Sequence, residues 1–187
     1  MRLEYTFQRL RAMVLLTFGL RNAAEDAFSA MLVRWPDDAY ALASRSHLRA
    51  QTGRRSQAIQ DAQRLVSVHP ARSAADWFNL AFLLEEAERY DEAEPAFRRA
   101  TELDPQLDRA WYGLALVLIR QQRLDEAVAA LERNTKLQPM SPYGWYQLAR
   151  VHVDRAQPDE ARRIIRHLKG FEPKVAEQLV RETGLNP

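Results

Sequence analysis

The sequence WFNLA at residues 77–81 returns as WYGLA at 111–115 and as WYQLA at 145–149, so three tryptophans stand 34 residues apart. In each copy the aromatic residue, the leucine and the alanine occupy positions i, i+3 and i+4, which lie on one face of an α-helix. Self-similarity with a period of this length is typical of stacked structural repeats rather than of a single globular core. The repeat therefore predicts the fold before any single element is considered.

Proline and alanine extend the repeat to most of the chain. Prolines recur at intervals of 34 or 35 residues, and an alanine stands twelve residues before each of them. The alanines are Ala24, Ala58, Ala93, Ala127 and Ala161, and the prolines are Pro36, Pro70, Pro105, Pro139 and Pro173. Proline stops a helix because it lacks an amide hydrogen and clashes with the preceding turn. Each repeat is therefore predicted to be a helical hairpin whose second helix ends near its proline.

These residues together resemble the tetratricopeptide repeat, whose signature is W-x2-L-G-x2-Y, then A-x3-F, then P. The resemblance implies an all-α fold, a right-handed α-solenoid of helix-turn-helix hairpins with about eleven helices. We expect one solenoid domain over residues 1–187, with five repeats and a helix that caps the last of them. The predicted repeats span 5–36, 39–70, 74–105, 108–139 and 142–173, and the capping helix spans 174–184 and ends at Gly184.

Composition argues against several classes of function. The chain has no cysteine, which excludes a disulfide framework, a thiolate zinc site and a cysteine nucleophile, and favours a cytoplasmic location. No two of the four histidines have the spacing of a helical metal site, and no glycine-rich phosphate loop is present. We therefore predict no enzyme activity, no metal and no cofactor. The net charge of +2 is too small for a typical nucleic-acid binder, although residues 1–72 are net basic and 73–141 net acidic.

An apolar run near the N-terminus admits two interpretations. Ala12 to Leu20 follows three arginines, as in a signal peptide, but the run is too short to span a bilayer. The same residues fit the first helix of the repeat, so we interpret them as a structural helix and predict no membrane partner.

Acidic pairs precede the repeated alanine in the last three repeats, at residues 91–92, 125–126 and 159–160. Two neighbouring carboxylates can support acid and base catalysis. Since the pair returns in every one of these repeats, we interpret it instead as complementing the dipole and free amides at the start of the second helix.

Positions that differ between repeats are candidates for specificity, because positions that agree are explained by the scaffold. The resemblance implies that the first helices of the hairpins line a concave groove. The candidate groove residues are Tyr40, His47, Phe78, Asn79, Phe82, Arg109, Tyr112, Leu116, Arg120, Tyr143, Tyr146 and Gln147. Aromatic side chains and arginine supply much of the energy of protein interfaces, so this set suits a peptide or helix with apolar anchors.

The predicted function is that of an adaptor or assembly chaperone that holds a segment of a client protein in this groove. The alternative is a structural scaffold subunit that associates with copies of itself through its first helix. That helix carries an apolar stripe for which no earlier repeat provides a cover, formed by Leu3, Phe7, Leu10, Val14 and Phe18. The predicted partners are thus a protein segment and a second copy of the chain, and the sequence does not choose between them for the stripe.

Overall fold

The computed structural model describes residues 2–187, and this part of the chain forms eleven α-helices and no strand. The helices are α1 Arg2–Thr17, α2 Arg21–Arg34, α3 Ala39–Gln51, α4 Arg55–Val68, α5 Ala74–Glu86, α6 Tyr90–Leu103, α7 Asp108–Arg120, α8 Leu124–Leu137, α9 Pro142–Asp154, α10 Pro158–Lys169 and α11 Pro173–Thr183. The predicted fold class is confirmed.

The chain divides into two compact units. The first unit ends at Arg89 and contains α1 to α5, and the second unit spans Tyr90–Pro187 and contains α6 to α11. Within each unit every helix packs against the next one, and in the second unit α11 also packs against α9. Such consecutive packing is what a series of helical hairpins requires. The assignment of one domain with five repeats stays a prediction.

The repeated alanines lie at the centre of the packing. All five, from Ala24 to Ala161, have no exposed surface. The residue four positions later is as deeply buried in four of the five hairpins, as Phe28, Phe97, Leu131 and Ile165. A methyl group at the alanine position allows a neighbouring helix to approach closely, and any larger side chain there would crowd the contact.

The turns inside the hairpins share one backbone geometry. A residue with positive φ ends the first helix each time: Gly19, Gly53, Glu88, Gln122 and Ala156, with φ between 55° and 77°. The next amide then bonds back to a carbonyl of the last helical turn, as in Arg123 N to Leu118 O at 2.9 Å. L-residues other than glycine are strained in this conformation, so the last three turns carry backbone strain that the two glycine turns do not.

The acidic pairs lie where the sequence predicts, in the first turns of α6, α8 and α10. Their predicted bonding to free amides is only partly correct, because no side chain caps α8 or α10. Glu126 instead accepts hydrogen bonds from Arg123 at 2.7 Å. The dipole remains complemented, but a guanidinium is the direct partner of this carboxylate.

The three repeated tryptophans each bond to the connection that precedes their helix. Their side chains are only partly buried. Each indole N–H donates to the carbonyl oxygen of the proline that precedes its helix: Trp77 to Pro70 at 2.8 Å, Trp111 to Pro105 at 3.1 Å and Trp145 to Pro139 at 2.9 Å. The tryptophan thus fixes the connection from the previous hairpin as well as contributing to its own.

Candidate functional site

The predicted groove residues of the first unit lie on α3 and α5 and have different environments. On α5, Phe78 and Phe82 stack with ring centroids 6.3 Å apart, and Phe82 is 46% exposed. Asn79 and His47 are exposed, and His47 Nε2 lies 2.8 Å from the side-chain amide nitrogen of Gln51 on the same helix. The α5 face therefore presents an aromatic pair beside an exposed amide.

Tyr40 is less available than the sequence suggests. Its ring packs edge-on against Phe28 at 5.7 Å, and the Arg9 guanidinium lies 4.5 Å from the ring centroid. The tyrosine is thus part of the contact that fixes α1 to the first unit. The sequence pattern could not reveal this, because Arg9 belongs to a different helix.

The second unit brings three of the predicted residues together. Leu116 and Arg120 on α7 and Gln147 on α9 line a cavity of about 330 Å³. Its other lining residues are Ile119, Arg150, Val151 and Asp154. Aliphatic side chains thus lie beside two guanidinium groups and one carboxylate. This combination suits an aliphatic side chain next to an anionic group.

The remaining predicted residues of the second unit lie outside this cavity. Arg109 and Tyr143 are exposed, and Tyr143 is 70% exposed. Tyr112 is half-buried. These three therefore stay groove candidates that the cavity does not include.

Tyr146 is held by the capping helix rather than left open. Its hydroxyl donates to Glu182 Oε2 of α11 at 2.6 Å. That bond, with one from Gln178, holds the pKa of the Glu182 carboxyl below its usual value. Arg150 approaches the same carboxylate at 3.6 Å, so α11 closes this end of α9. Tyr146 therefore fixes α11, and a ligand that bound it would have to displace Glu182.

Every residue of the predicted N-terminal stripe is exposed. The fractions range from 45% for Val14 to 88% for Leu3. The opposite side of α1 faces its own unit, where Ala12 is fully buried and the Tyr5 hydroxyl donates to Asp38 at 2.9 Å. The stripe and the packed face are therefore separate, as the helical spacing predicts.

Two family models described as the tetratricopeptide repeat match the sequence, over residues 44–108 and 84–146. Together they span more than half of the chain. The chain belongs to the tetratricopeptide repeat family. No curated protein matches it.

Several solved structures share the fold of this tetratricopeptide repeat protein. A crystal structure of MamA has a TM-score of 0.85 at 21% sequence identity, covering 95% of this chain and 96% of that one. A crystal structure of YrrB, a TPR protein with an unusual peptide-binding site, has a TM-score of 0.82 at 16% identity, covering 91% and 88%. A tetratricopeptide repeat protein from Parabacteroides merdae ATCC 43184 has a TM-score of 0.81 at 18% identity, covering 96% and 73%. At these identities the similarity shows the fold.

A larger cavity, of about 860 Å³, lies between α8 and α10 and was not predicted. Leu148, Ile164 and Trp145 are among its lining residues. His152 also lines it, is 8% exposed, and has Nδ1 2.8 Å from Gln157 Oε1. His152 is therefore a hydrogen-bonded histidine of the core.

A comparison of repeats explains why this cavity is open in the tetratricopeptide array. Between α6 and α8 the equivalent positions hold four linked charges, joined by contacts of Arg123 to Glu94 at 2.6 Å and of Arg98 to Glu126 at 2.7 Å. Burial raises the pKa of Glu94, but hydrogen bonds from Arg123 and Arg98 outweigh it and leave the pKa below its usual value. Thirty-four residues later the four positions are Val128, Glu132, Gln157 and Glu160. Neither Glu–Arg pair is present there, so no such ion pair bridges the cavity.

A second charged cluster that sequence analysis missed lies inside the first unit. Asp61 is 4% exposed and accepts hydrogen bonds from Arg45 at 2.6 Å and Arg49 at 2.8 Å. Glu25 is 7% exposed and pairs with Arg49 at 3.0 Å and with Arg54. Both carboxylates are fully partnered, so the cluster is part of the scaffold. The spacing of Arg45 and Arg49, one helical turn apart, is the signal that could have suggested it.

Metal sites and membrane spans are both absent from residues 2–187. No group of three or more histidine, aspartate or glutamate side chains there could hold a metal ion. No helix in that range is long and apolar enough to cross a bilayer.

Proposed function

We propose that this tetratricopeptide repeat protein is an adaptor or assembly chaperone that binds a segment of a client protein through the exposed faces of its first helices. Family membership supports a role in protein–protein interaction. The observation that supports the binding of a client segment is the α7–α9 cavity, which Leu116, Arg120 and Gln147 line. These three positions differ from the shared scaffold of the repeats.

The chemistry of the cavity defines the client residue that it would accept. Arg120 and Arg150 are both exposed, but Arg150 is already close to Tyr146 and Glu182, so Arg120 is the guanidinium that is free to meet a ligand first. Hydrogen bonds between a guanidinium and a carboxylate are shorter and stronger than neutral ones. We therefore expect an acidic residue of the client next to an aliphatic one, with the aliphatic side chain against Leu116.

The stacked pair of Phe78 and Phe82 in the first unit offers a second anchor. An exposed aromatic pair buries much area at low entropic cost when an apolar side chain covers it. We expect Phe82→Ala to weaken client binding and to leave the thermal midpoint nearly unchanged.

Photo-crosslinking in cells tests the proposal directly, because it captures whichever client is bound. A benzoylphenylalanine placed at Leu116, at Phe82 or, as a control, at Arg166 on the exposed side of α10 would be irradiated in cells, and the attached peptide identified by mass spectrometry. A client segment should be captured at Leu116 and at Phe82, and none at Arg166. Equal capture at Arg166 would contradict the proposal.

The captured segment would then be synthesised and its affinity measured by fluorescence anisotropy. Arg120→Gln should weaken binding by about tenfold or more, since it removes a charged hydrogen bond. The matched change Arg166→Gln should have no effect. A peptide that binds the Arg120 variant and the parent equally would remove the cavity from the binding site.

Self-association through the N-terminal stripe is the second candidate function, and the exposure of all five stripe residues supports it. Its five side chains together expose on the order of 600 Å², compared with the roughly 800 Å² that each partner contributes to a standard interface. Sedimentation equilibrium over a wide concentration range tests it directly. A protein that stays monomeric at about 1 mM would exclude this function, since a specific interface of that size binds more tightly.

A further inference from the structure

The spacing of the N-terminal stripe is that of a coiled-coil seam. Leu3, Phe7, Leu10 and Val14 follow one another at intervals of four, three and four residues, which is the alternation of d and a positions in a heptad. All four are exposed on α1. Phe18 lies just after the end of α1 and outside these four layers. The face is therefore shaped to pack against another helix, rather than being only apolar.

Two opposite charges flank the seam on the same side. Glu4 follows Leu3 and Arg11 follows Leu10, so both occupy e positions one heptad apart. Both side chains are exposed, and neither forms an ion pair within the part of the chain that the structure describes. A helix that covers the seam would meet these two charges at its edge.

We propose that the partner of this face is the same face of a second copy, paired antiparallel about a twofold axis. In an antiparallel pair the a residues of one helix pack against the d residues of the other. Phe7 then packs against Leu10 of the second copy, and Leu3 against Val14 of the second copy. The same register places Glu4 beside Arg11 of the second copy, and the twofold axis generates the ion pair a second time.

The charges select this arrangement over a parallel one. In a parallel pair the e position of one helix faces the g position of the other, which brings Arg11 opposite Thr6 rather than opposite a carboxylate. Because the two flanking charges have opposite signs, each of them meets an opposite charge of the second copy only when the two helices run in opposite directions. The occupant that best fits this face is therefore a second copy.

This inference rests on the self-association proposed as the second function, and it adds the geometry. Glu4→Arg and Arg11→Glu each replace two attractive pairs with two repulsive ones, so each variant should dimerise about tenfold more weakly than the parent protein. An equimolar mixture of the two variants should recover the parent affinity as a heterodimer, because both ion pairs re-form, one with the parent signs and one with its signs exchanged. Sedimentation velocity with one variant fluorescently labelled measures this recovery.

Two apolar substitutions provide the matched controls. Phe7→Glu should abolish the dimer, whereas Val33→Glu should leave it unchanged, since Val33 is 88% exposed on α2 and lines a surface cavity with residues of α3 and α4. Circular dichroism should show the same helicity for both variants, because neither side chain is buried in the monomer.

The outcomes separate the geometry from the function. A parent protein that dimerises and is weakened by Phe7→Glu, but shows no recovery in the mixed variants, would overturn the antiparallel pairing and leave self-association in place. A monomeric parent protein would overturn both. If the mixture recovered its dimer affinity equally at high and at low salt, that result would also contradict the ion pairs, because salt screens exposed charges.

Discussion

Gly113 on α7 is predicted to be required for close packing against one aromatic ring. A Cβ atom built at this position would overlap the edge of the Phe97 ring, at atoms Cε1 and Cζ. Phe97 is 1% exposed in the second unit, so the ring has no free space into which it can move. Gly113→Ala therefore forces the ring out of its preferred rotamer or moves α7 away from α6.

Two opposing effects determine the magnitude. Alanine is favoured over glycine inside a helix by about 1 kcal/mol, which would stabilise the variant. Overpacking a core costs about 1–3 kcal/mol, and the overlap here is severe because two ring atoms are involved. We expect the crowding to exceed the helix propensity, with a net loss of about 1–2 kcal/mol in the free energy of unfolding.

The assay is urea denaturation followed by circular dichroism, applied as a double-mutant cycle. Thirty-four residues after Phe97 the chain has Leu131, and 34 residues after Gly113 it has Gln147. In that repeat the shorter leucine thus occurs together with a residue that has a Cβ atom. Phe97→Leu should therefore be less destabilising in the Gly113→Ala background than alone, by about 1 kcal/mol or more. If Gly113→Ala raised the stability, or if the two changes were additive, the argument from this contact would be wrong.

Three further predictions concern other parts of the scaffold. The pKa of Glu94 is lowered in the folded state, so its contribution to stability is present above the ordinary glutamate pKa of about 4.5. That contribution is lost as the pH falls through the lowered pKa. Glu94→Gln should therefore flatten the pH dependence of the thermal midpoint between about pH 5 and 3. Ala156→Gly should raise the free energy of unfolding by about 0.5–1 kcal/mol, since Ala156 has a φ of 55°, and an unchanged urea midpoint would contradict the strain. Trp111→Phe removes the bond to Pro105 and should cost about 1 kcal/mol, and a loss of more than about 3 kcal/mol would show that the indole is buried more deeply than the structure indicates.

The fold could be predicted from the sequence because its period is visible in single residues. A small residue such as Ala127 is required at every close helix contact, and a proline is tolerated at every connection, so both recur at a fixed interval. The tryptophans show the limit of this reasoning. Their spacing predicts their helix and face, but the bond from Trp145 to Pro139 depends on how the ring reaches the connection before it.

The candidate site could be predicted only in part. Leu116, Arg120 and Gln147 lie together because their positions on α7 and α9 follow directly from the repeat. Tyr40 and Tyr146 occupy equivalent faces, yet one is covered by a residue of α1 and the other by a residue of α11. Arg9 is not shared between the repeats, and α11 follows the last of them, so the period contains no information about either cover.

The tryptophan bond also bears on how such a chain can be cut and rejoined. A chimera made by exchanging hairpins at the proline connection would separate Trp111 from Pro105, so a foreign proline segment would have to present its carbonyl at the same place. A junction at the left-handed turn inside a hairpin, such as Gln122, keeps every tryptophan with the connection that it holds. For recombination, the transferable block of this protein therefore runs from one hairpin turn to the next, and it is offset by half a repeat from the unit that the sequence motif suggests.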